Sequence, residues 1–380
     1  MSRLSTNEIE RYSRHILLPE IGKHGQSKLK DAKVLVVGAG GLGSPLASYL
    51  AAAGVGTIGI ADFDVVSLSN LQRQILFSTD DLGWQKTEAA KKRLQALNPS
   101  IRIEIYTQNV TNDNAVDIIG NYDIVADGTD NFPTRYLVND VCMMLDKPNV
   151  YASIFGFEGQ ASVFIKNKGA CYRCIFPNPP ANGAVLSCNQ TGVLGVLPGI
   201  MGTIQATEVI KLILEIGSSL VGRLLTYNAL EMRFEEIDVY QNPDCSVCGK
   251  NPAVTKAMNY KKQCDNKAGN DEDNLVKNIG AFELKQKIEE DGDFVLLDVR
   301  EKYELDICSL RSSKFIPYGD IPEMINDLPK DKDIVVFCHL GIRSKNIVEF
   351  LLKEGFNKVY NLEGGIDSYA EKCDNSLQRY

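Results

Sequence analysis

The chain has 380 residues, a net charge of −8 and an apolar fraction of 44%. That length suggests two or three domains, and the acidic balance excludes a general nucleic-acid footprint. No apolar run reads as a membrane span, and Glu8, Glu10, Arg11, Arg14 and His15 make the N-terminus too polar for a signal peptide, so the ten cysteines are expected in a reducing, cytoplasmic setting as metal ligands or nucleophiles rather than disulfides.

Residues 1 to about 30 read as a polar helical arm. Val34–Val37 then predicts a buried strand that runs into Gly38-Ala-Gly-Gly-Leu-Gly43. Gly38, Gly40 and Gly43 fit G-x-G-x-x-G, which provides a tight turn, close backbone approach to a phosphate and close helix–strand packing. A second strand, Ile58–Ala61, ends at Asp62, placed to hydrogen-bond a ribose hydroxyl. To this point a nicotinamide cofactor is the default ligand. The next segments change that: Ser69-Asn70-Leu71-Gln72-Arg73, then Lys86, then Thr129-Asp130-Asn131 after the strand Ile124–Ala126. Two cations and an aspartate around one phosphate site suit ATP and magnesium better than a hydride carrier. An adenylylating site is expected. With Ile101–Ile105 as a further strand, the alternation of strands and helical stretches predicts a mainly parallel sheet covered on both faces.

From Ser162 to Val239 the pattern continues through a Pro/Asn/Gly-rich loop at 177–192 and a helix predicted over Thr203–Ile216. Cys171-x-x-Cys174 and Cys245-x-x-Cys248 form two knuckles, and four thiolates in such pairs match a closed, structural tetrahedral zinc site. The long gap between them makes the metal a staple of distant segments. Cys188, in a polar loop just before the helix, is either a thiolate nucleophile or a plain loop cysteine.

A first domain is expected over 1–250, a Lys/Asn/Asp/Gly-rich linker over 251–274 and a smaller α/β domain over 275–380. Its predicted strands are Phe294–Asp298, Ile334–Cys338 and Lys358–Leu362. Cys338-His-Leu-Gly-Ile-Arg343-Ser344 lies between a strand and the helical stretch Lys345–Lys353. A thiol there sits in a nest of inward-pointing N–H groups that can stabilise a persulfide anion, with Arg343 adding positive charge. Cys142, Cys264, Cys308 and Cys373 are read as small buried hydrophobes, and His15, His24 and His339 form no ligand set.

Over about residues 5–250 the chain resembles the ubiquitin-activating-enzyme-like adenylyltransferases that activate sulfur-carrier proteins in the molybdopterin and thiamine pathways. The resemblance is carried by Arg11-Tyr-Ser-Arg14, the glycine loop, Ser69–Arg73, Lys86, Asp130, both knuckles and Gly192-Val-Leu-Gly195. It implies that Gly41 and Asp62 hold the nucleotide and that Asn70, Arg73 and Lys86 handle its phosphates. Asp130 would serve magnesium, with Asn131 beside it, and Arg14 would reach the phosphates from a partner subunit. Cys188 would be the candidate for a thioester or disulfide link to the carrier. Residues 275–380 resemble a rhodanese domain, with Leu297-Asp-Val-Arg-Glu301 before the Cys338 loop and Asn361-Leu-Glu-Gly-Gly365 after it. The family's usual Gly-His-Ile-Pro-Gly-Ala is replaced here by Asp306-Ile-Cys-Ser-Leu-Arg-Ser312, read as altered packing.

The expected fold is α/β: a Rossmann-like adenylation domain with a four-cysteine zinc site, followed by a small α/β rhodanese domain. The expected activity is ATP-dependent adenylylation of the C-terminal glycine of a ubiquitin-like sulfur carrier ending in Gly-Gly, then sulfur transfer from a Cys338 persulfide to give a thiocarboxylate. A flexible tether would keep donor and acceptor at an effective concentration of about a millimolar. The first carrier to consider is the small subunit of molybdopterin synthase; carriers for thiazole formation or tRNA thiolation are alternatives. Magnesium and zinc are the expected metals, a cysteine desulfurase the expected donor and a homodimer the expected assembly, with neither nucleic acid nor membrane as partner. A nicotinamide oxidoreductase would explain the glycine loop and Asp62 but not Ser69–Arg73 or the knuckles. A pure ubiquitin-like protein activator would be indifferent to a persulfide on Cys338, and a non-catalytic zinc-organised scaffold would show no ATP–pyrophosphate exchange with any carrier.

Overall fold

The computed structural model describes residues 3–180, 192–260, 276–290 and 292–380. The chain divides into two compact units, one before and one after the stretch 261–275.

The first unit is built on an eight-stranded sheet: β1 (Lys33–Val37), β2 (Thr57–Ala61), β3 (Arg102–Tyr106), β4 (Ile124–Asp127), β5 (Asn149–Phe155), β6 (Glu158–Phe164), β7 (Arg223–Asn228) and β8 (Arg233–Asp238). Their order is β3-β2-β1-β4-β5-β6-β7-β8, parallel from β3 to β5 and antiparallel from β5 to β8. Successive residues of β1 serve two different cores. Val34 and Val36 pack with the helix Gly43–Ala53, whereas Leu35 and Val37 pack with the helix Phe132–Met144. A strand covered on both faces has no use for a polar side, which is why its sequence is an unbroken apolar run. The order reverses between β1 and β4, opening a crevice at their carboxyl ends, where ligands of such sheets bind.

The helix predicted over Thr203–Ile216 in fact spans Leu197–Leu214. It starts earlier because Pro198 sits in its first turn, where a missing N–H costs nothing. By length and composition it could cross a membrane, contrary to the expectation that no run is long enough. It packs against Gly43–Ala53, β5 and β6, and its buried Gln205 donates to the carbonyls of Asp127 and Val150, at 2.8 and 3.0 Å, bridging β4 and β5. The first unit also runs past the expected boundary at 250. Val254, Ala257 and Met258 pack into its second core, and buried Tyr260 donates its hydroxyl to Asp140.

The second unit is a five-stranded parallel sheet of β9 (Lys277–Ile279), β10 (Phe294–Asp298), β11 (Lys314–Phe315), β12 (Asp333–Phe337) and β13 (Val359–Leu362), in the order β11-β10-β12-β13-β9. The same alternation recurs in the central strand: Ile334 and Val336 face one core, Val335 and Phe337 the other. The next helix begins at Ile342, ahead of the expected Lys345.

Candidate functional sites

The glycine loop lies at the carboxyl end of β1. A Cβ on Gly43 would stand 1.9 Å from the Gly38 carbonyl oxygen, so the helix can start this close to the strand only with glycine there. Beside the loop, Asp62 accepts bonds from the N–H groups of Ala39 (2.8 Å) and Asp64 (2.9 Å). Burial pushes its carboxyl up, against the pull of Lys86. The buried Lys86 ammonium meets Asp64 at 2.9 Å. Arg73 donates to the Ser69 carbonyl at 3.0 Å, and its stem lies 3.6 Å from where a Gly41 Cβ would be. Asn70 caps its own short turn at Ser67, Leu71 packs against the core, and Gln72 lies against Gly195. The structure therefore brings Asp62 and Arg73 beside the glycine loop, with Lys86 close enough to act on the Asp62 carboxyl.

On the other side of the reversal point, Asp130 is exposed, with no hydrogen bond or ion pair among the described residues. Such a carboxylate can hold a hard cation, and the fit is to an oxygen ligand open to solvent. The Asn131 side chain caps the helix Phe132–Met144 by accepting from Thr134 N–H at 3.0 Å. Arg14 is exposed and makes no bond within the described residues, while Arg11 donates to the Leu97 carbonyl and Tyr12 is buried under Gly54.

The four knuckle sulfurs all lie within 4.8 Å of one another. Cys171–Cys245 is 3.6 Å, Cys174–Cys248 is 3.3 Å and Cys171–Cys174 is 3.9 Å. Thiolates about 2.3 Å from one ion have tetrahedral edges of about 3.8 Å, so this cluster could hold a metal. The backbone N–H of Asn242 donates to Cys174 Sγ at 3.3 Å, the kind of outer bond that orients a ligand. Cys188 and Cys264 lie outside the described residues.

In the second unit, Cys338 comes directly after the central strand and is buried. Its Sγ accepts from the Gly341 N–H at 3.1 Å and lies 3.4 Å from Ser344 Oγ, which donates to Asn361 Oδ1 at 2.7 Å. Gly341 has φ +85°, the left-handed conformation that turns the loop's N–H groups inward. Arg343, the expected source of positive charge near this sulfur, is itself held in an ion pair. Its guanidinium grips Glu304 through two bonds of 2.7 Å, both side chains buried. Burial would raise the Glu304 carboxyl, but the two Arg343 bonds prevail and hold it below the usual carboxylate range. Tyr380 donates to Glu304 at 2.9 Å, accepts from Arg300 at 3.0 Å and stacks its ring on His339 at 4.0 Å. Burial lowers the imidazole's pKa. Arg300 also pairs with Asp298 and binds the Cys308 carbonyl at 2.9 Å, so the departure at 306–312 is held by a fully buried arginine. Cys142 is fully buried, as expected, and burial pushes its thiol well up; Cys308 and Cys373 are only half-buried.

Glu304→Gln is expected to destabilise the second unit by about 3–5 kcal/mol, because it leaves Arg343 buried beside a neutral partner. The lone tryptophan, Trp84, reports on the first unit and serves as an internal control. In urea, the Trp84 fluorescence transition should stay fixed while the second unit's circular-dichroism transition moves to lower denaturant. The ion pair's contribution is present at neutral pH and lost as pH falls through the depressed Glu304 value.

Residues 12–247 match the ThiF family, and residues 281–372 match the rhodanese-like domain. The chain belongs to the ThiF family. A probable adenylyltransferase/sulfurtransferase MoeZ of Mycobacterium tuberculosis is 42% identical over 100% of this chain and 97% of its own length. The adenylyltransferase and sulfurtransferase MOCS3 of Mus musculus is 40% identical over 99% and 88%. A sulfur carrier protein adenylyltransferase of Thermus thermophilus is 49% identical over 69% of this chain and 98% of its own. Among solved structures, E. coli MccB with ATP matches with a TM-score of 0.54 and 27% identity, over 63% of this chain and 74% of that one.

Within this ThiF-family unit, sequence reasoning missed Asp64, the partner of Lys86, and the pair Asp127 and Arg135, which brace the turn before Asp130. In the rhodanese-like unit it missed Glu304 and Tyr380. Glu304 had a readable signal, since it comes just after Asp298-Val-Arg-Glu301 on the helical turn Lys302–Leu305. Tyr380 had none.

Proposed function

We propose that this enzyme adenylylates the C-terminal glycine of a ubiquitin-like sulfur carrier and then replaces the adenylate with sulfur carried on Cys338. The observation that supports this best is the presence, on one chain, of a glycine loop with Arg73 and Lys86 on the segments beside it, an exposed Asp130 after β4, and a buried thiol held by the Gly341 N–H. In the first step the carrier's carboxylate attacks the α-phosphorus of ATP and pyrophosphate leaves. No general base is required, because the nucleophile is already ionised. Charge grows on the phosphoryl oxygens, where Lys86 and Arg73 would stabilise it and position the chain. Asp130 would hold magnesium, which supplies further charge neutralisation. Arg14, exposed and unpaired within the described residues, suits a role toward a second subunit in a homodimer.

In the second step the terminal sulfur of a Cys338 persulfide attacks the acyl carbon and AMP departs with the bonding electrons. The resulting acyl disulfide is cleaved by another thiol, which releases the thiocarboxylate and leaves a disulfide on the enzyme. Cys188 is the candidate for that thiol or for an earlier acyl link. A normal thiocarboxylate yield from Cys188→Ala would remove it from the scheme. A cellular dithiol reduces the enzyme disulfide to two thiols, and Cys338 is then reloaded by a persulfide-bearing protein such as a cysteine desulfurase, in a reducing compartment such as the cytoplasm. The small subunit of molybdopterin synthase is the first carrier to test. ATP–pyrophosphate exchange measured across a panel of Gly-Gly carriers tests the reading, which fails if no carrier supports exchange.

The four knuckle cysteines would hold zinc as a structural cross-link between segments far apart in sequence. Elemental analysis of the purified chain should find zinc, and Cys245→Ser should lose it. The Trp84 thermal transition is then expected to fall by roughly 10 °C or more, since such a site contributes to folding directly.

A further inference from the structure

The turn that carries Asp130 is braced from both sides by buried groups that make no hydrogen bond to the glycine loop or to the knuckle sulfurs among the described residues. Asp127, at the end of β4 and fully buried, accepts from Thr129 N–H at 3.0 Å and from Thr129 Oγ1 at 2.6 Å. Arg135, 6% exposed, donates from Nη2 to the Thr129 carbonyl at 2.8 Å. Thr129 therefore has its N–H, hydroxyl and carbonyl all fixed. The turn also sits tightly on the phosphate side: a Cβ on Gly38 would lie 2.9 Å from the Gly128 carbonyl oxygen, and Gly128 N–H donates to the Val37 carbonyl.

Arg135 belongs to the helix Phe132–Met144, and that helix is tied at several points to the first knuckle. Asn139 Oδ1 accepts from the N–H of Tyr172, the residue after Cys171, at 2.9 Å. Asp140 takes two bonds from Arg173, at 2.9 and 3.0 Å. The Arg135 guanidinium itself lies 5.2 Å from the Tyr151 ring and 6.0 Å from that of Tyr172. Two atoms in the brace, Asp127 Oδ2 and Arg135 Nε, are buried with no hydrogen-bond partner among the described residues. A buried carboxyl and a buried guanidinium with bonds unmade are costly, and apolar side chains in their place would stabilise the fold better. Their presence in this core points to a job other than packing.

We infer that Asp127 and Arg135 are positioning residues that fix Asp130 over the glycine loop, and that the helix Phe132–Met144 links this turn to the cysteine knuckles. The inference rests on the reading of Asp130 as the holder of the cation that accompanies ATP. A carboxylate on an unbraced turn would sample many positions, and a misplacement of about 1 Å can cost about a hundredfold in rate.

The test uses the full chain and compares Arg135→Lys, Thr129→Val and Asp130→Asn. Each is assayed for ATP–pyrophosphate exchange with carrier across a magnesium titration, alongside zinc content and thiosulfate–cyanide sulfur transfer by Cys338. Arg135→Lys and Thr129→Val are expected to raise the magnesium concentration for half-maximal exchange by about tenfold and to lower the maximal rate, with zinc content and Cys338 activity unchanged. If both keep the wild-type magnesium dependence while Asp130→Asn changes it, the positioning role is wrong and the reading of Asp130 stands. If Asp130→Asn also leaves it unchanged, the reading of the site itself has failed. Should Arg135→Lys not fold, Thr129→Val alone decides, since it removes one hydroxyl at nearly constant volume.

Discussion

Cys338→Ser is expected to abolish thiocarboxylate formation, by at least about a thousandfold, while ATP–pyrophosphate exchange proceeds at the wild-type rate. A serine hydroxyl cannot carry a terminal sulfur, so the loss is chemical rather than conformational. The geometry supports a clean separation. The sulfur's contacts are the Gly341 N–H and Ser344, and both the loop and its supporting residues Glu304, Arg343 and Tyr380 belong to the second unit. Adenylylated carrier should therefore accumulate, visible by mass spectrometry as the intact adenylate or as free AMP from its hydrolysis. If Cys338→Ser still delivers thiocarboxylate, the sulfur comes from elsewhere. Cys308, half-buried beside Arg300, would be the next thiol to examine.

Lys86→Ala should have the opposite signature: adenylation lost by about a hundred- to a thousandfold, with sulfur transfer from thiosulfate to cyanide intact. Magnitudes separate this from a structural role. Lys86 is buried, but its partner Asp64 is half-exposed, and such a pair is worth about 1 kcal/mol or less, about a fivefold effect. If the lysine served only that ion pair, Asp64→Asn would be as damaging as Lys86→Ala. Under the proposed role Asp64→Asn is mild, because it removes the partner and leaves the ammonium. Stopped-assay exchange rates for the two variants settle the matter, and comparable losses would argue against a phosphate-directed lysine.

The parts of this architecture that are legible in the sequence are those encoded locally. Gly38–Gly43 has to end a strand and open a helix, because only glycine tolerates a neighbour 1.9 Å from its would-be Cβ. The Cys-x-x-Cys knuckles are legible because the spacing itself is the ligand geometry. The strand runs Val34–Val37 and Ile334–Phe337 are readable as doubly covered, and each indeed feeds two cores. Pairing across the fold is what escapes. Glu304 has a signal in its own segment but none that names Arg343 as its partner, and nothing announces that Tyr380 will close over His339. The helix at Leu197 begins ahead of the predicted Thr203, and its Pro198 sits in the first turn, where a proline is compatible with a helix. The cap made by Asn131 is not legible because an asparagine just before a helix suits a ligand role as well as a cap.

The measurement that bears most directly on the central claim combines the full chain, ATP, magnesium, a persulfide donor and a panel of Gly-Gly carriers, with each carrier weighed intact. One carrier should gain the mass of sulfur replacing oxygen, only with ATP present and only when Cys338 is intact. Carriers that are adenylylated but never thiolated, with Cys338 demonstrably loaded, would contradict the coupling of the two chemistries on this chain.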